Sequence, residues 1–224
     1  MGRDRSGIPR EWGSGVMRET SYGDRRRVLA CREWIAADSR VLDYGCGQGG
    51  LLRSMQIHCD MAGYDHDPSS PYFSWEDPVG RYDAVICSEV LEHQENPLEL
   101  LSALRELVRP GGCCIITVPN GRGPYETLMR WTKTPNPHEQ FFGFAELREL
   151  FHGAGFYISE YRGRSFLSGP IVSPIIDAVP GLARLNAWIT NVLPVEWVSD
   201  WMFLLRRMDV PESADRDAAS FQSV

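Results

Sequence analysis

Two hydrophobic periods alternate along the chain. Short apolar runs at 40–44, 59–64, 82–88, 113–118, 156–161 and 201–207 are bounded by Gly, Pro, Asp or Asn and read as strands. Between them lie stretches with helical spacing. Val28, Leu29, Arg32 and Ile35 predict a helix over 25–37, and another follows over 48–57. Leu98, Leu101, Leu104, Leu107 and Val108 share one face of a helix over 96–108, which Arg109-Pro110-Gly111-Gly112 should end. Further helices are predicted over 125–132 and 144–154. Strand and helix in alternation predict a parallel sheet with helices on both faces. Residues 66–81 hold Pro68, Pro71 and Pro78, which leaves space only for an abbreviated strand at Phe73–Trp75. Residues 1–21 read as an arm that either caps the site or is disordered, 22–208 as one domain, and 209–224 as a flexible tail. Within the domain, 165–198 form an apolar insertion before the last strand.

The strand at 40–44 runs into Gly45-Cys46-Gly47-Gln48-Gly49-Gly50 and then into a helix. Glycines there let the backbone approach a ligand, and the free N–H groups opening the helix favour negative charge. Gly45, Gly47 and Gly50 fit G-x-G-x-x-G, with Asp65 placed 20 residues after Gly45. Such a unit could bind NAD, FAD or S-adenosylmethionine (SAM), or be a turn with no ligand. Asp43, at the strand end, separates these cases. A carboxylate would repel a pyrophosphate but suits the ammonium and sulfonium of SAM.

Val41-Leu42-Asp43-Tyr44-Gly45-Cys46-Gly47-Gln48-Gly49 closely resembles the first motif of class I SAM-dependent methyltransferases. Three more segments match in order: Ala62–Asp65, Tyr82–His93, and Leu107–Gly112 running into Cys113–Pro119. The resemblance is to the ubiquinone-biosynthesis-type O-methyltransferase-like group. It implies an α/β fold, Rossmann-like and doubly wound. The sheet would be mostly parallel and seven-stranded, with an antiparallel final strand and a helical insertion before it. It also implies that Asp43, Gly45, Cys46, Gly47, Gly49, Asp65, His66 and Ser88 hold SAM. Asp43 would sit near the ammonium, Asp65 would accept from the ribose hydroxyls and Ser88 would lie beside the sulfonium. Glu76 or Asp77 would contact the adenine, and the sequence does not choose between them.

Glu89-Val90-Leu91-Glu92-His93 is a second candidate for chemistry. If a helical turn follows the strand, Glu89, Glu92 and His93 project from one face. Together with His138 in the long loop they could hold Mg²⁺, Mn²⁺ or Zn²⁺. This arrangement resembles ubiquinone-biosynthesis enzymes and small-RNA 3′-end 2′-O-methyltransferases. Without a metal, His93 or His138 is a candidate general base, and Glu89 is counted among the catalytic candidates. The plainer alternative is that Glu92 and His93 only orient the turn.

Composition narrows the partners. A net charge of −7 argues against a nucleic acid as partner. Six cysteines without C-x-x-C spacing predict buried thiols in a reducing compartment, hence a cytoplasmic location. No signal peptide or membrane-spanning run is read. The insertion is rich in apolar residues, including Ile175, Val179, Leu185, Trp188 and Val192, and is interrupted by Pro170, Pro174 and Pro180. It is expected to pack on the sheet edge or a second subunit, giving a monomer or homodimer, or to cover a lipid-linked substrate at a membrane surface. The function expected is methyl transfer to an oxygen of a small molecule. A metal-dependent RNA 3′-end 2′-O-methyltransferase and a non-catalytic SAM-binding protein are the alternatives.

Overall fold

The computed structural model describes residues 22–131, 140–166 and 172–208. The arm at 1–21, the tail at 209–224 and His138 lie outside these. Among the described residues six strands form one sheet. They are β1 (Arg40–Tyr44), β2 (Asp60–Tyr64), β3 (Tyr82–Ser88), β4 (Val108–Pro119), β5 (Phe156–Ser165) and β6 (Asp200–Arg207). Their order is β2-β1-β3-β4-β6-β5. The pairings β1–β2, β1–β3 and β3–β4 are parallel, and β6 runs antiparallel to both β4 and β5.

The expected seventh strand does not form. Phe73 makes a single bridge to Asp65, and the rest of the 66–81 segment is turn, bend and irregular chain. Prolines supply no ladder donor, and the segment is too short to cross over and return as a full strand. Helix α3 (Pro97–Leu107) ends before Arg109–Gly112, as expected, but the following strand begins earlier than the expected Cys113. Strand β4 starts at Val108, and its pairing with β3 slips in register at that point. The other elements follow the hydrophobic pattern to within a few residues at their ends.

Seven helices accompany the sheet among the described residues: α1 (Tyr22–Trp34), α2 (Gly50–Met55), α3 (Pro97–Leu107), α4 (Pro124–Trp131), α5 (Phe144–Gly153), α6 (Val172–Ala178) and α7 (Leu182–Val192). Helix α3 starts where the sequence signals it. Asn96 caps it by accepting from the Glu99 N–H, and Pro97 takes the first helical position, where no donor is needed.

Period-two alternation sends the strand side chains to two cores. Val41, Ala84, Ile86, Cys113 and Ile115 face α1 and α2, where they meet Val28, Cys31, Ile35, Leu51 and Met55. Leu42, Val85, Cys87, Cys114, Ile116 and Val118 face α3 and α5, where they meet Leu101, Leu104, Leu147 and Phe151. Each fully buried Leu or Ile contributes about 1.5–3 kcal/mol relative to exposure. Both faces are therefore closed, and the ligand must bind at the strand ends. Five of the six cysteines are buried in these cores, and all six are free thiols. No helix among the described residues is long and apolar enough to cross a membrane.

Candidate functional site

The loop leaving β1 is shaped by its glycines. Gly45 has φ +73°, and a Cβ there would stand 2.4 Å from Val90 Cγ2. Gly49, also at φ +73°, caps the start of α2, and the Tyr72 ring occupies the space a side chain would need. The N–H groups of Gly45 and Cys46 both donate to the Tyr64 carbonyl, which ties the loop to the end of β2.

Beneath this loop is a cavity of about 310 Å³. Asp43, Gly45, Cys46, Gly47, Ser88 and Glu89 line it, so one wall gathers six of the residues singled out in the sequence. Asp43 is buried, and its Oδ2 has no hydrogen-bond partner. Burial pushes its carboxyl up to about 7, against the pull of Arg27. Gly49 lies behind the wall, and exposed His66 does not line the cavity.

Asp65 sits one bond away. Its carboxylate accepts from the N–H of Gly47 (2.6 Å) and of Asp67 (2.8 Å). Of the two acidic residues expected on the adenine side, Asp77 accepts from the Tyr64 hydroxyl at 3.0 Å, while the Glu76 N–H donates to Ser74 Oγ. Asp77 is thus the one anchored at the end of β2.

Two charged residues in the cavity wall were not singled out from the sequence, Asp24 and Arg27 of α1. Arg27 donates to both Asp24 and Ser88 Oγ. The run Arg25-Arg26-Arg27 looks like a solvated face, but successive helix positions turn by about 100°. Arg25 pairs with Asp177 of α6, Arg26 lies 3.5 Å from the Gly163 carbonyl, and Arg27 turns into the cavity. The i,i+3 spacing of Asp24 and Arg27 was the available signal.

The second motif folds differently from expectation. Glu89 takes a left-handed conformation, φ +58°, at the end of β3. Only a short 3-10 turn, Leu91–His93, follows. The single helical face therefore does not exist: Glu92 is wholly buried, with both carboxylate oxygens unpartnered, while His93 is exposed. Burial, reinforced by Glu89, raises the Glu92 carboxyl above the usual carboxylate range. Glu89 Oε1 accepts from Thr117 Oγ1 (3.1 Å) and pairs with Arg164 Nη1 (3.1 Å). A divalent metal does not fit this arrangement. Its expected ligands are divided between core and surface, a guanidinium occupies Glu89, and among the described residues no three His, Cys, Asp or Glu side chains converge. The fourth expected ligand, His138, is outside the described residues. Asn120 serves the scaffold, donating to the Glu196 and Val198 carbonyls at 2.8 and 2.9 Å.

SAM, by contrast, fits. An unpaired buried carboxylate oxygen awaits a cation, an arginine stands in the same wall, and at Gly47 of the turn a Cβ would meet nothing within 4 Å. The comparisons with known proteins agree. A family model described as a methyltransferase domain matches residues 17–161. A ubiquinone biosynthesis O-methyltransferase of Aeromonas salmonicida is 28% identical over 58% of this chain and 71% of its own length. One from Cereibacter sphaeroides is 30% identical over 57% of this chain and 64% of its own. Among solved structures, the magnesium protoporphyrin IX methyltransferase of Synechocystis, with bound SAH, superposes with a TM-score of 0.55 at 17% identity, covering 83% of this chain and 84% of that one. On the glycine turn with its buried Asp43, the sheet order and the matched residues 17–161, the chain belongs to the methyltransferase-domain family, as a class I SAM-dependent methyltransferase.

Proposed function

We propose that the enzyme methylates a hydroxyl group of a small molecule: an aromatic, a sugar or a lipid-linked compound. One observation carries this. Glu89 places a carboxylate in the wall of the same cavity as Asp43, Ser88 and the glycine turn. An acceptor oxygen that arrives protonated needs a proton acceptor at that spot. The Aeromonas and Cereibacter relatives, named as O-methyltransferases, support the reading.

When bound, SAM supplies an electrophilic methyl on a sulfonium, open to in-line displacement. The chain's own residues do the rest. Asp43 offers its unpaired oxygen to the ammonium, and Arg27 is placed to take the carboxylate of the same amino-acid part. Asp65 offers its carboxylate to the ribose hydroxyls and Asp77 stands at the adenine end. Glu89 orients the acceptor hydroxyl and takes its proton as the methyl bond forms. His93, exposed on the turn, and His138 are the other candidates for that proton. Transfer to an RNA 3′ end would call on a metal set that these residues do not assemble, and on a basic surface that a net charge of −7 opposes.

The test is methyl transfer from labelled SAM into cell-extract small molecules, with products resolved by mass spectrometry. A methyl ether is expected. Glu89→Gln should lower turnover by about 10²–10⁴-fold while calorimetry shows SAM affinity close to wild type. An N-methylated product would overturn the hydroxyl reading. Full activity in Glu89→Gln with loss in His93→Ala or His138→Ala would move the base.

A further inference from the structure

The acidic cluster beside the site already contains a cation. Arg164, next to last in β5, reaches over the ends of β6 and β4 to Glu89 at the end of β3. Adjacent strands lie about 4.8 Å apart, so the span needs both long side chains extended. Its Nη1 is 3.1 Å from Glu89 Oε1, and its Nη2 is 3.0 Å from Asp200 Oδ1. One guanidinium thus bridges two carboxylates from different strands, as a metal ion would. Arg164 and Asp200 are sequestered, 8% and 4% exposed, while the Glu89 side chain stays 33% exposed at the cavity. Behind them lies Glu92, 0% exposed, whose two oxygens find no partner.

We propose that Arg164 is the resident cation of the Glu89–Glu92 pocket, occupying the place of a divalent metal and fixing Glu89 for methyl transfer without one. Arg164 is a positioning residue here, acting through Glu89, and its role in transfer rests on the function proposed for Glu89 above. A planar fork is suited to the task because it offers each carboxylate a separate N–H and keeps its charge when buried. A metal ion entering the cluster would have to expel a guanidinium that is itself buried and doubly paired. The motif Glu89-x-x-Glu92-His93 is therefore retained in this chain with its metal-binding geometry taken apart. Glu92 has gone into the core, His93 faces outward, and Arg164 neutralises what remains.

The full chain is titrated with Mn²⁺, followed by electron paramagnetic resonance of free and bound ion. The binding of S-adenosylhomocysteine is measured by calorimetry on each sample. The wild type should show no saturable Mn²⁺ binding. Arg164→Gln should gain Mn²⁺ affinity by about tenfold or more, because removing one partner leaves buried carboxylates uncompensated. Adding Glu89→Gln should abolish that gain, and Arg164→Lys, which keeps the charge, should resemble wild type. A purely structural arginine would not produce a gain of metal binding that depends on Glu89. If Arg164→Gln does not fold alone, refolding with Mn²⁺ or Mg²⁺ should recover it, and failure to recover it would overturn the proposal. So would tight Mn²⁺ binding by wild type that Glu89→Gln removes, or an Arg164→Gln protein that folds and gains nothing. S-adenosylhomocysteine binding should persist throughout. Its absence in wild type would count against the cofactor site and leave the Mn²⁺ result to judge Arg164.

Discussion

Asp43 is a carboxylate walled off from solvent, 2% exposed, and its ionisation is the most informative titration at the site. Burial raises its pKa to about 7, well above the unfolded value of 3.8. The folded state therefore binds this proton more tightly than the unfolded chain. Its contribution to stability is complete below about pH 4 and is lost as pH rises through 7. Cofactor binding has the opposite sign, because an ammonium opposite Asp43 favours the ionised form. SAM affinity should rise with pH through 7 and then level off. Below 7, binding should release a proton, read as a buffer-dependent calorimetric enthalpy. Asp43→Asn should flatten that profile and lose about 1–3 kcal/mol of affinity at pH 8. Arg27→Ala should cost a similar amount, by removing charged hydrogen bonds to the carboxylate end. Asp43 was legible in the sequence because a carboxylate two positions before a glycine turn departs from a dinucleotide site. Arg27 was not, because the direction of one arginine among three depends on helix phase and on what packs against it.

Elements were legible where a single period ran without interruption. Strands β1, β3 and β6 and helix α3 fall within a few residues of their expected positions, since each strand is buried on both faces and α3 carries both a cap and a stripe. The 66–81 segment was harder, because proline says what cannot form but not what will. Helix α7 inverts the usual rule. Asn186 and Thr190 are buried, while Leu185, Trp188 and Val192 face outward. The inward polar pair has partners: Asn186 Nδ2 donates to Ser165 Oγ at 2.9 Å, and Thr190 Oγ1 accepts from the Phe166 N–H at 2.7 Å. These bonds pin the insertion to the end of β5, beside Arg164. Chemical denaturation should accordingly show Asn186→Leu destabilised by about 1–3 kcal/mol, since a buried hydroxyl loses its donor. Trp188→Ser should stay within about 0.5 kcal/mol, as an exposed substitution does. Reversed magnitudes would mean that the outward face is covered in the free protein.

At the scale of the whole molecule, the sheet order joins two half-sites. Strands β1, β2 and β3 lead to the residues proposed to hold SAM, while β4, β6 and β5 bring Thr117, Asp200 and Arg164. They meet at one hydrogen-bonded seam whose direction can be worked out. Arg27 donates to Ser88 Oγ, and Thr117 Oγ1 donates to Glu89 at 3.1 Å. The Thr117 hydroxyl has a single proton, so in the 2.5 Å contact between Ser88 and Thr117 the serine is the donor. The relay then runs from Arg27 through Ser88 and Thr117 to Glu89, the carboxylate proposed as proton acceptor. Thr117 is wholly buried in a central strand, where valine matches its shape and strand preference. Thr117→Val should therefore fold, losing about 1–2 kcal/mol of stability for the unpaired neighbour. S-adenosylhomocysteine affinity should change little, because Asp43, Asp65 and the glycine turn are untouched. Turnover should fall by about tenfold, the size of one lost hydrogen bond at roughly 1.4 kcal/mol, as Glu89 keeps Arg164 but loses the contact that fixes its second direction. Thr117→Ser, which restores the hydroxyl at the expense of a methyl, should recover most of the rate while remaining less stable than wild type. A rate that followed stability across the three proteins, rather than the presence of the hydroxyl, would reduce the seam to packing.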